Sequence, residues 1–115
     1  MRIKILVLLS LILMAFNEAQ EKRHSVASFY SNKFNGRKTA SGEIFSQTKY
    51  TCATNMYPLG TVLRVTNPVN DSTVDVVVND RTHVRFSERI DLSRIAMQKL
   101  EGLKKGILNV LIEKL

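Results

Sequence analysis

Residues Ser72–Arg81, STVDVVVNDR, decide the fold. Val74, Val76 and Val78 fall on one face of an extended chain, and Asp75, Val77 and Asn79 fall on the other. Asp75 in mid-strand marks its face as wet, so the strand is buried on one side only. Residues 61–67, TVLRVTN, alternate in the same way, with Leu63 and Val65 opposite Arg64 and Thr66. Pro, Asn and Asp in the intervening PVND (68–71) turn the chain, so the two runs predict an antiparallel hairpin.

The valine run stops abruptly in Asn79-Asp80-Arg81. Counting by twos puts Asp80 on the valine face, at the strand end. Two alternatives follow. Asp80 is a turn-stabilising acid, or it is an acid at the mouth of a packed sheet, where partial desolvation favours the protonated form and suits general acid catalysis. A bulge at Asn79 would reverse its face. Arg81, the next residue, points to the opposite side, where it would meet a substrate.

Outward from the hairpin, SVASFY (25–30) reads as a first strand, and SNKFNGRKTASGE (31–43), with Gly36 and Gly42, as a long tight loop. EIFS (43–46) suits a short strand, and TKYTCATNMYPLG (48–60) has no regular period. Ser93 can cap a helix of about two turns carrying Ala96 and Leu100, with Gly102 to end it. Residues 107–112 read as a last, buried strand. The pattern predicts a mainly β domain, a small barrel of roughly six strands with one short helix near the C-terminus.

The chain has 115 residues and a formal net charge of +7. Its first 19 residues resemble a secretory signal: Arg2 and Lys4, an apolar run from Ile5 to Phe16, then Ala19. The expected organisation is a signal at 1–19, a short linker at 20–25 and one domain at 26–115. Arg2, Lys4 and Glu18 leave with the signal, so 17 basic and ten acidic residues become 15 and nine, a net +6. An exported protein so charged favours an anionic surface or polymer. The basic residues are dispersed, without a Lys/Arg stripe interleaved with aromatics, so nucleic acid is not the expected partner. Cys52 is the single cysteine, which excludes an internal disulfide and leaves stability to the apolar core. It reads as a small buried hydrophobe.

Glu43 follows Gly42 in a polar loop and is either solvated or a second working acid. Asp91, beside the helix start, suits capping or dipole pairing. His83 lies three residues past Asp80 and is either a rim residue or an exposed turn histidine. No His/Cys/Asp/Glu group has metal-ligand spacing, so neither metal nor cofactor is expected.

ASFYSNKFNGRKTASGEIFS, YPLGTVLRVTN, VVVNDR and RIDLS, in this order, resemble the RlpA (rare lipoprotein A) family over about Val26 to Leu115. The resemblance implies a double-psi β-barrel and lytic transglycosylase action on peptidoglycan. It puts the family's acids on Glu43 and Asp80. Thr54 stands where active members carry a histidine, and the lipid-anchoring cysteine of the family has no counterpart. On this resemblance Asp80 is the principal acid/base, assisted by Glu43, and Thr39, Thr54, Asn79, Arg81 and His83 are substrate contacts. It further implies glycan strands as substrate, envelope or cell-division proteins as partners, a monomer, and a periplasmic or envelope location. The alternatives are an expansin-like module that binds or loosens wall polymer without cleaving it, and a glycoside hydrolase of similar barrel.

Overall fold

The computed structural model describes residues 21–115. Its strands are β1 (Arg23–Phe29), β2 (Thr51–Thr54), β3 (Val62–Asn67), β4 (Ser72–Asp80), β5 (Arg89–Leu92) and β6 (Leu108–Lys114), with one helix, α1 (Arg94–Lys99). The predicted signal segment lies outside the described residues. The strands close in the order β1-β5-β2-β4-β3-β6, so no sheet edge is left open. β1 runs parallel to β5 and β2 parallel to β4; the other four pairings are antiparallel.

The predicted hairpin is present as β3 and β4, in a register that sets Leu63 against Val76 and Val65 against Val74. Its turn uses Asn67 and Asn70, whose side-chain carbonyls accept from the backbone of Val69 and Ser72, and Asp71 adopts φ +60. The face alternation holds along β4 as far as Val78: Val74, Val76 and Val78 are at most 1% exposed. On the wet face Arg64 forms a two-point pair with Asp75 at 2.9 and 3.2 Å, which holds the Asp75 carboxyl below its usual range. Both side chains are well exposed, so the pair adds little to stability.

Leu63, Val65, Ile90, Leu92, Val110 and Ile112 fill the barrel with the three valines, each at most 1% exposed. Full burial of such side chains is worth about 1.5–3 kcal/mol apiece. α1 closes the core with Ala96, Met97 and Leu100, and Asn67 Nδ2 ties its end to β3 through the Leu100 carbonyl at 3.0 Å.

Five expectations change. Residues 51–54, without period in the sequence, form β2. All four are buried, so the strand has no wet face to alternate against. Arg89–Leu92 is a strand rather than a helix approach, and Asp91 caps nothing; it accepts a hydrogen bond from Ser28 Oγ across the β1–β5 pair. EIFS contributes only an isolated bridge between Lys38 and Ile44. The expected linker is partly strand, since Arg23 and His24 pair with Ile112 and Leu111 of β6. Ser93 precedes α1 as predicted, but its side chain makes no cap; the Arg94 and Ile95 N–H groups go to Gln47 Oε1 at 2.7 Å and its carbonyl at 3.1 Å.

Gly102 sits where a side chain would collide with this core. A Cβ there would lie 2.5 Å from Leu108 Cδ1 and 2.6 Å from Met97 Sδ. Gly102→Ala should destabilise the domain by about 1–3 kcal/mol, read as a lowered urea midpoint at unchanged slope.

Candidate functional site

The site begins with a break in register. Cys52 pairs with Val78, and the next residue of β2, Ala53, pairs with Asp80, so β4 carries one extra residue at Asn79. This bulge ends the alternation. Asn79 is 3% exposed and its Oδ1 is buried without a partner among the described residues, whereas Asp80 is half-buried. The expectation that Asp80 simply continues the valine face is therefore corrected: the bulge re-aims it.

Asp80 is held by three donors. Its Oδ1 accepts from the Ala40 and Arg81 N–H groups, each at 2.9 Å, and its Oδ2 accepts from the Tyr30 hydroxyl at 2.6 Å. Ala40 belongs to the turn Thr39–Glu43, which is closed by the Thr39 N–H and hydroxyl on the Glu43 carbonyl at 2.8 and 2.9 Å. Gly42 adopts φ +91 there, a conformation open to glycine at no steric cost. A second tie, Ser41 N–H to the Asn79 carbonyl at 3.0 Å, fixes the turn against the bulge. The fold thus anchors the segment bearing Glu43 to the strand end bearing Asp80. Glu43 is exposed, and Ser41 Oγ donates to its Oε1 at 3.3 Å.

Tyr30 is the residue of this site that sequence reasoning passed over. Its ring stacks on Phe45 at 4.0 Å and meets Phe34 edge-on at 5.9 Å. Burial first, then the hydrogen bond to Asp80, raises the phenol far above the ordinary tyrosine value, so it stays protonated and donates. The available signal was a tyrosine closing an alternating strand, an aromatic body with a polar tip.

The expected substrate contacts lie differently. Thr54 is fully buried, its hydroxyl accepting from the Met56 N–H at 3.1 Å, so it offers no surface to a ligand. Thr39 is 7% exposed and spends its hydroxyl within the turn. Arg81 is exposed, but its Nη1 donates to the Thr54 and Tyr57 carbonyls at 2.7 and 2.5 Å. Its guanidinium clamps the chain after β2 rather than standing free. His83 is exposed and caps the 3-10 turn Val84–Phe86, its Nδ1 accepting from the Arg85 N–H at 3.1 Å. Cys52 is inert, as read: burial, then the charge of Asp91, pushes its thiol up to about 12. No group of His, Cys, Asp and Glu among the described residues could hold a metal ion.

A cleft of about 370 Å³ is lined by Arg23, His24, Glu88 and Arg89 and does not include Asp80. Convergent donors on one carboxylate are the stronger indication of chemistry.

A closed six-stranded barrel with two parallel pairings, carrying an acid at a strand-end bulge, belongs to the double-psi β-barrel class. A family model described as "Lytic transglycolase" matches residues 22–112, and the chain belongs to that family. A probable endolytic peptidoglycan transglycosylase RlpA of Treponema pallidum is 44% identical over 88 residues, covering 76% of this chain and 28% of the relative. The chain spans about a third of the length of the RlpA relatives it matches. Among solved structures, a Streptomyces papain inhibitor superposes with TM-score 0.66 at 25% identity, over 82% of this chain and 93% of that one. An expansin of Clavibacter michiganensis superposes with TM-score 0.63 at 23% identity, over 83% of this chain and 50% of that one, a likeness of fold.

The buried phenol makes stability depend on alkaline pH. Tyr30 binds its proton more tightly in the folded than in the unfolded chain. Its contribution is full below the unfolded tyrosine value of about 10 and is lost as pH rises above it. Urea midpoints measured from about pH 9 to 11 should fall with pH, and Tyr30→Phe should fall less steeply over that range.

Proposed function

We propose that this barrel is an endolytic peptidoglycan lytic transglycosylase, cleaving glycan between MurNAc and GlcNAc and leaving 1,6-anhydro-MurNAc ends. The observation that carries the proposal is Asp80: a strand-end carboxylate fixed by three donors, with the Glu43 turn anchored beside it. The family membership and the names of the RlpA relatives support the same chemistry.

The reaction asks little of the protein because the substrate carries its own nucleophile. The C6 hydroxyl of the muramic residue attacks its own C1, the C1–O bond to the next sugar breaks, and the leaving oxygen takes a proton. Asp80 gives that proton and, as the carboxylate left behind, receives the one released from the C6 hydroxyl. It ends in the state in which it began. A hydrolase would instead need a bound water and a second carboxylate at set spacing. Glu43, exposed at the tip of its turn, assists by holding a sugar hydroxyl or sharing the second proton transfer. Arg81 and His83 are exposed, and the Arg81 donors not used on Thr54 and Tyr57 can meet the carboxylates of a stem peptide. A net charge of +6 on the exported chain suits an anionic wall polymer, and the envelope is the proposed location.

A second reading is favoured by Thr54. Where the family resemblance places a histidine, this chain has a threonine that is fully buried and occupied with Met56. Such a site could bind wall glycan without cutting it.

Purified sacculi incubated with the protein separate the two. Anhydro-muramyl fragments in the mass spectrum, lost by about 10²-fold or more in Asp80→Asn and by a smaller factor in Glu43→Gln, are the expected result. Reducing ends would show hydrolysis. Cosedimentation with sacculi and no released fragment would leave binding alone.

A further inference from the structure

The two oxygens of Asp80 are not equivalent. Oδ1 accepts two backbone N–H groups at 2.9 Å, whereas Oδ2 accepts one donor, the Tyr30 hydroxyl at 2.6 Å. A carboxylate oxygen has two lone pairs, so Oδ1 is filled and Oδ2 keeps one free. The proton delivered to a glycosidic oxygen therefore travels on Oδ2, and Tyr30 is the group among the described residues that holds this oxygen.

Tyr30 is itself pinned at every point. Its N–H donates to the Leu92 carbonyl at 3.0 Å, its carbonyl accepts from Gln47 Nε2 at 2.7 Å, and its ring lies between Phe45 and Phe34. Gln47 also receives the start of α1, so the segment that holds the phenol is itself tied to β5 through Leu92 and to α1 through Gln47.

We propose that Tyr30 is a positioning residue for the transglycosylase reaction: its phenol fixes Asp80 Oδ2 so that the free lone pair faces the glycosidic oxygen. The inference rests on the function proposed above. When Oδ2 carries the proton, the phenol donates through the remaining lone pair. As that proton leaves, negative charge gathers on Oδ2 and the same hydrogen bond strengthens. An interaction stronger in the transition state than in the ground state raises kcat and leaves substrate affinity alone.

The full-length protein and Tyr30→Phe, which keeps the ring stack, are compared on soluble peptide-free glycan strands. Anhydro-muramyl ends are counted by mass spectrometry, and sacculus cosedimentation and thermal melting are followed in parallel. The expected result is a fall in kcat of about 10- to 100-fold, with KM and sacculus binding within about twofold of the parent. Phe45→Leu, which loosens the stack and keeps the phenol, should lower kcat by a smaller factor at the same KM. A Tyr30→Phe kcat within about twofold of the parent, or a loss carried by KM, overturns the role of Tyr30. If the parent protein releases no anhydro ends from these strands, the proposed function fails and the role of Tyr30 falls with it. An active parent with an equally active Tyr30→Phe removes the role of Tyr30 alone.

Discussion

The Asp80 carboxylate is where three segments of chain meet. Tyr30 reaches it from the end of β1, Ala40 from the turn before β2, and Arg81 from its own strand end. That meeting depends on the single extra residue at Asn79. Without it, alternation would send the carboxyl toward Val74, Val76 and Val78, into a core of side chains that can donate nothing. Burying an unpaired carboxylate there would cost several kcal/mol. The bulge turns the same acid into the keystone of a hydrogen-bonded junction. It also spends one polar group to do so, since Asn79 Oδ1 is left buried without a partner among the described residues.

The parts of the fold legible in sequence are those with one wet face. β3 and β4 alternate because Arg64, Thr66, Asp75 and Val77 look outward while Leu63, Val65 and the valines look inward. β2 could not be seen this way. Its four residues are all buried, so no wet face is left to give a period. β5 does alternate, but over four residues that abut a helix, and a four-residue signal is easily absorbed into its neighbour. The cap of α1 was illegible for another reason. Ser93 is the local candidate, yet Gln47, far away in sequence, satisfies the helix N–H groups. Tertiary contact decided what local chemistry only offered.

The site shows the same limit. Motifs located Asp80 and Glu43, and the structure places their segments in contact. What sequence could not foresee is how the surrounding polar side chains are spent. The family resemblance offered Thr39, Thr54 and Arg81 as substrate contacts, but a motif match does not say which partners a polar side chain takes in this fold. In three dimensions the irregular chain after β2 leaves carbonyls in need of donors, and Arg81, with five N–H groups, supplies them. Thr54 does the same for the Met56 N–H. The polar residues around the acid build its walls first.

This division bears on how two acids can share one reaction. Asp80 stands on a strand, with both oxygens fixed; Glu43 stands on a turn, exposed, with one long contact to Ser41. Proton transfer loses rate steeply with small misplacements, whereas holding a sugar hydroxyl tolerates them. On the proposed function, the acid with both oxygens held suits the proton, and the exposed one suits a sugar hydroxyl. A third carboxylate completes the arrangement without touching the chemistry. Asp91 pairs with Ala53 on one side of β2, as Asp80 does on the other. The negative charges of both add to burial in holding the proton on Tyr30. A half-buried phenol bonded to one carboxylate, with a second in its field, resists becoming an anion. It therefore stays protonated near neutral pH and donates to Asp80 Oδ2.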